Sequence, residues 1–276
     1  MLKDKQTLRI EALEKELRIL YRKEAHLLQA AKKRRETISW KTNVEKKIPE
    51  KIHRGLESAF AKAFAIIFEK GRVVIEKSYD KNALQEDHAV RDFAFRTKGG
   101  RKELHDMKKS ASRASLGNMA LTTVEGVGLG VLGIGMPDMV LFIGMLLKGI
   151  YETAIGFGYD YASSYEQLII LKMMAASLSE EDDFVRKNDE VDALISAIGG
   201  DITKEELDAQ IKETASVFAM DMLLLKFIQG LPIVGIIGGA ANPVYYHKIL
   251  RYAQLKYQKR FLEKLLWEER TGIRLD

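Results

Sequence analysis

Apolar residues in this chain recur at three- and four-residue steps almost throughout, the spacing of helices that bury one face. Ile10, Leu13, Leu17, Leu20, Leu27 and Ala31 keep that rhythm for about three heptads, with Glu24 where an apolar residue is expected. Packing of this stretch on the body of the protein is the commoner outcome for so short a run. Pro49 suits the first position of a second helix. Its stripe is Ile52, Leu56, Ala59, Phe60, Ala63, Ile66 and Ile67, and Gly71 is its expected end. RVVIEK, after that glycine, is the best short strand candidate, with a helical continuation equally open. A third helix is expected over 82–96, stopped by Lys98-Gly99-Gly100, and a fourth from about Glu103. SYEQLIILKMMAASL reads as another helix. Ser179 with Asp182, and Thr203 with Glu206, have capping-box spacing and bracket a charged helical hairpin broken at Gly199-Gly200. A last helix is expected from about Pro243 to Arg270. No alternating strand series occurs. The pattern predicts an all-α fold, a single helical bundle, with a basic amphipathic helix over 1–40 and the helical domain over 41–276.

Two stretches depart from the amphipathic rhythm. Gly126–Leu147 has Asp138 as its one charge, and Phe227–His247 has no formal charge. Both are rich in glycine, and each carries a Gly-x-Pro break, at Gly135-Met136-Pro137 and Gly230-Leu231-Pro232. They predict two central Gly/Pro-broken apolar helix pairs, each restarting at Pro137 or Pro232. Glycines such as Gly130, Gly133, Gly235 and Gly239 let helix backbones approach closely. Three readings fit: a soluble core, a lipid pocket or interfacial hairpin, and true membrane spans. In the second reading Gly130, Gly133, Pro137, Asp138, Met145, Gly230, Pro232, Gly235, Gly239 and Asn242 would meet a hydrophobic ligand or membrane. Asp138 follows a proline in an apolar setting. It reads as a first-turn acid facing free backbone N–H groups, or as an anchor for a polar headgroup.

Charge sharpens the picture. The chain has 276 residues and a net charge of +5. The surplus is at the amino end, while 180–213 is strongly acidic. Lys32, Lys33, Arg34 and Arg35, followed by Trp40, suit attraction to an anionic membrane surface. A plain solvated helix face is the other reading. The absence of cysteine excludes disulfides, thiolate metal sites and cysteine nucleophiles. The charged start lacks the apolar centre of a signal peptide, so a cytoplasmic location is expected, peripheral to the inner face of the membrane.

The chemical motifs are weak. Gly128-Leu129-Gly130-Val131-Leu132-Gly133 has dinucleotide-loop spacing, but no strand pattern precedes it. No two of the five histidines share metal-ligand spacing on one helix. Asp87-His88 and His105-Asp106 suit surface or capping roles. No nucleophile motif is present, and the basic residues lack the stacking aromatics of a nucleic-acid site. No catalytic residue, metal or cofactor is expected, and no nucleic-acid partner.

Four blocks carry a resemblance: IPEKIHRGLESAFAKAF (48–64), GMPDMVLFIGMLLKGIYETAIGFGYDY (135–161), LIILKMMAAS (168–177) and GLPIVGIIGGAANPVYYHKILRYAQLKYQKR (230–260). In this order they resemble the EcsC family of bacterial proteins, over about 44–265. The resemblance implies a helical protein without an established catalytic set, associated in some members with an ABC-transporter operon. The expected function is non-enzymatic: binding of lipid or a lipid-like ligand at the cytoplasmic membrane face. The alternative is a soluble module that docks on an ABC transporter or other membrane partner without a ligand of its own. A hydrolase built around Asp138 or Asp160 is a third class.

Overall fold

The three- and four-residue rhythm folds as helix among the described residues. In the computed structural model, residues 5–34, 48–117, 137–197, 199–228 and 241–274 are described. Helix α1 spans Lys5–Arg34, and α2 spans Glu50–Ile66. A π-helical segment, Ile67–Gly71, leads directly into α3, Arg72–Glu76. Then come α4 (Lys81–Lys98), α5 (Arg101–Gly117), α6 (Pro137–Gly156) and α7 (Ser164–Leu178). The series ends with α8 (Glu181–Ser196), α9 (Lys204–Ile228) and α10 (Ala241–Thr271). No strand occurs among the described residues, so the all-α expectation holds.

Two local expectations are corrected, at Gly71 and Ser179. Gly71 does not end a helix, and of the two readings open for RVVIEK the helical one holds, over Arg72–Glu76. A Cβ on Gly71 would lie 3.2 Å from Ile67 Cγ1, so the glycine fits the crowded wall of the π turn rather than a stop. Ser179 does not cap α8: its hydroxyl donates to the Ala175 carbonyl at the end of α7, and Glu180 stands at the α8 N-cap. The two acidic helices flank Gly199-Gly200 as expected, joined by the Lys187–Glu213 ion pair at 3.3 Å, and both pack on α7. The other capping box forms: the Glu206 N–H donates to Thr203 Oγ1 at 3.2 Å, and the Thr203 N–H to Glu206 Oε2 at 2.9 Å. Gly99 ends α4 at φ +69°, its N–H bonded to the Phe95 carbonyl.

Helix α6 occupies the centre, packed by α2, α4, α5 and α10. Its window Met139–Gly156 is long and apolar enough to cross a membrane, yet 83% of it is buried inside the bundle. On one side, Phe142 joins Phe60, Phe64 and Phe218 in an aromatic cluster that binds α2 and α9 to it. On another, Gly156 allows α5 to approach until its Cβ would lie 2.9 Å from Ala111 Cα.

The corner from α6 to α7 contains Gly158-Tyr159-Asp160-Tyr161, and every member is used structurally. Gly158, at φ +79°, leaves room for the His88 ring. Tyr159 lies under the Arg260 guanidinium, 4.0 Å from the ring centroid. Asp160 accepts from the Ala162 N–H at 3.1 Å. Tyr161 stacks on Tyr151 at 4.0 Å and donates to Glu76 at 2.8 Å. Glu166, one turn into α7, accepts from Tyr257 at 2.8 Å and from both bonds of Arg260 Nη1.

Helix α1 lies on α8 and α10. Leu13, Leu17 and Leu20 are buried there, as the heptad spacing predicts. Glu24 is buried too, and the tertiary structure explains it. Its carboxylate pairs with Lys256, which is fully buried, and with Lys259 at 2.7 Å. Asp192 of α8 meets the same two ammonium groups at 2.8 and 3.1 Å. Burial pushes the Asp192 carboxyl up, but Lys256 and Lys259 outweigh it and hold it below its ordinary range.

Candidate functional site

Where α1, α5 and α10 converge they leave an open groove of about 690 Å³. Each helix offers one face, at steps of three or four residues. Helix α1 contributes Leu20, Lys23, His26 and Leu27. Helix α5 contributes His105, Lys108 and Lys109, and α10 contributes Arg251, Gln254, Leu255 and Gln258. Leu20 and Leu255 are buried and form an apolar floor, while Leu27 is 41% exposed at its edge. The rim is basic, and no carboxylate among the described residues lines it.

The rim charges differ in how they are spent. Lys108 pairs with Glu16. Burial pushes the Glu16 carboxyl up, yet Lys108 and Arg101 outweigh it and hold it below the ordinary carboxylate range. Lys23, Lys109 and Arg251 have no carboxylate partner among the described residues. Deeper in, the Gln258 amide nitrogen is buried and meets no acceptor among the described residues. A buried amide donor without a partner is unfavourable. The groove thus has basic side chains from three helices above a leucine floor.

The residues singled out in the sequence fall elsewhere or along the edge. Pro137 and Asp138 begin α6, so Asp138 has the first-turn place expected of it, while the helix expected before the Pro137 break lies outside the described residues. Met145 packs, partly buried, against the core. Asn242 lies in the first turn of α10. Gly130, Gly133, Gly230, Pro232, Gly235 and Gly239 lie outside the described residues, as do Arg35 and Trp40. Lys32, Lys33 and Arg34 continue α1 past the groove, with Lys32 about 8 Å beyond Leu27 along the axis. The groove residues themselves are not conspicuous in the sequence. Lys23 with His26, and His105 with Lys109, have one-face helical spacing, but nothing local shows that the three faces meet.

The other polar clusters are structural. His88 donates through Nδ1 to the Gly156 carbonyl at 3.0 Å and sits edge-on to Phe261. Burial depresses its pKa. Among the described residues no three His, Asp or Glu side chains stand close enough to hold a metal ion.

An all-helical bundle with a buried apolar centre, and an N-terminal helix clamped by ion pairs, defines the class. The chain belongs to the EcsC protein family, which matches residues 12–262. The resemblance read from four blocks is thus borne out, and the match extends nearer the amino end, into α1. The chain is 25% identical to Protein EcsC of Bacillus subtilis (strain 168) over 243 residues, covering 87% of this chain and 88% of that protein. No solved structure matches it.

Proposed function

We propose that this chain works without catalytic chemistry at the cytoplasmic face of a membrane, where it holds lipid or a lipid-like ligand. The observation that supports this reading is the groove of α1, α5 and α10, with basic side chains over a leucine floor. Such a surface attracts anionic headgroups from solution and gives apolar chains somewhere to lie. The basic block Lys32–Arg35 begins on the same helix and would add long-range attraction to the same surface. The proposed ligand place is therefore between these three helices. The sequence-based alternative, between the two glycine-rich segments, involves residues outside those described.

Flotation of the purified chain with phosphatidylcholine vesicles, with and without an anionic phospholipid, tests the reading. Flotation is expected with the anionic vesicles and should weaken as salt rises, because exposed charges are screened within about 10 Å at 0.1 M salt. Neutralising Lys32–Arg35 should weaken it further. If the chain floats with neither vesicle and carries no co-purifying lipid, the membrane reading fails. A protein-docking role would then be the better account.

A further inference from the structure

We infer that the groove between α1, α5 and α10 is a phosphomonoester site, taking a terminal phosphate whose apolar tail lies on Leu20, Leu27 and Leu255. This inference rests on the lipid reading for its tail but not for its phosphate. Lys23, Lys109 and Arg251 bring three cations, one from each helix, with no carboxylate partner among the described residues. A phosphodiester carries one negative charge. A terminal phosphate carries close to two near neutral pH, since its second pKa is about 6. Cations held together in one groove repel each other, and a dianion relieves that repulsion more fully than a monoanion does.

Direction supports the same conclusion. The donors approach from three helices: Lys23 and His26 from α1, His105 and Lys109 from α5, Arg251 from α10. A terminal phosphate presents three free oxygens, one toward each wall. A diester has its second substituent on one of those sides and offers only two. The Arg251 guanidinium can meet two oxygens at once. His26 and His105 each offer an N–H even when neutral. The leucine floor distinguishes an amphiphile from free phosphate, because only an amphiphile would cover Leu27.

The experiment uses the full chain and soluble, short-chain ligands, so vesicle attraction does not contribute. Dihexanoyl phosphatidic acid, dihexanoyl phosphatidylglycerol and glycerol 3-phosphate would be titrated calorimetrically into the wild type. The same titrations would use Lys109→Ala, Arg251→Ala and a remote control, Lys212→Ala on α9. All three positions are exposed, and unchanged thermal melts confirm that each variant folds. The expected result is at least tenfold tighter binding of phosphatidic acid than of phosphatidylglycerol. Lys109→Ala and Arg251→Ala should each lower it severalfold, and Lys212→Ala should leave it unchanged. Equal binding of the two lipids, or no effect of Lys109→Ala and Arg251→Ala, overturns the site. Glycerol 3-phosphate bound as tightly as phosphatidic acid, with the same sensitivity to Lys109 and Arg251, keeps the phosphate site but removes the lipid tail. Failure of vesicle flotation with tight phosphatidic acid binding would overturn the membrane reading alone.

Discussion

Glu24 shows most clearly how one residue can break the pattern of its element for a reason found elsewhere. In α1 it occupies a place where the heptad calls for an apolar side chain, and it is buried there against Lys256 and Lys259. Glu24→Leu would restore the pattern yet should destabilise the fold by about 3 kcal/mol, because the fully buried Lys256 loses a partner. Adding Lys256→Met should recover most of that loss, since a buried ion pair can be replaced by well-packed apolar groups at little cost. Urea unfolding of the two single variants and the double variant measures the coupling. The sequence marked Glu24 as an exception but could not name its partners, which lie on a helix more than two hundred residues away. His88 carries a second residue-scale prediction. It is buried neutral, and its folded pKa lies below the ordinary 6.5. The stability tied to that depressed value is fully present above about 6.5 and is lost as pH falls through the folded pKa. The melting temperature should therefore drop between about pH 7 and pH 5. In His88→Gln that part of the drop should be missing. The carboxylates held low, Glu16, Asp87 and Asp192, titrate at more acidic pH and fall outside this window.

Among the elements, α6 is the one whose meaning changed most between sequence and structure. Its length and hydropathy fit a membrane span, a pocket wall or a core helix equally well. Four neighbouring helices cover most of its apolar window, so these residues are placed as core. Its glycines serve contact: Gly156 meets Ala111, and Gly149 lies against Tyr246 and Leu250. Gly156→Ala should push α5 from α6 and destabilise by roughly 1–3 kcal/mol. Ala111→Gly in the same background should restore part of the loss in denaturant melts. The helix start at Lys204 and the stop at Gly99 were legible because caps and left-handed glycines are local signals. Gly71 misled for a related reason. A glycine after an apolar stripe marks a helix end when nothing else constrains it, whereas here it lies inside a π turn packed on Ile67. Ser179 misled likewise, since serine can bond backward to the helix it leaves as well as forward to the one it opens.

At the scale of the whole molecule, the basic amino end and the rest of the chain are brought together by α1. Arg9 reaches Glu269 at 2.7 Å, and about four turns further along α1 Glu24 meets Lys256, so α1 runs antiparallel to α10. That docking makes the groove, because its walls are α1, α10 and the α5 helix beside them. The flotation and titration experiments accordingly test a property of the assembled bundle. Loosening α1 through Glu24→Leu should weaken phosphatidic acid binding along with stability, whereas Lys109→Ala should weaken binding alone. The sequence by itself determined the helical class, most helix boundaries, the family and the polarity of charge along the chain. All of these are written in periodicity, caps and ordered blocks that neighbouring residues carry between them. Only the tertiary structure decided that the apolar helix after Pro137 is core, that Glu24 belongs inside, and that cations from three distant helices share one groove. Those facts depend on which faces meet, and helical spacing defines a face without naming its partner.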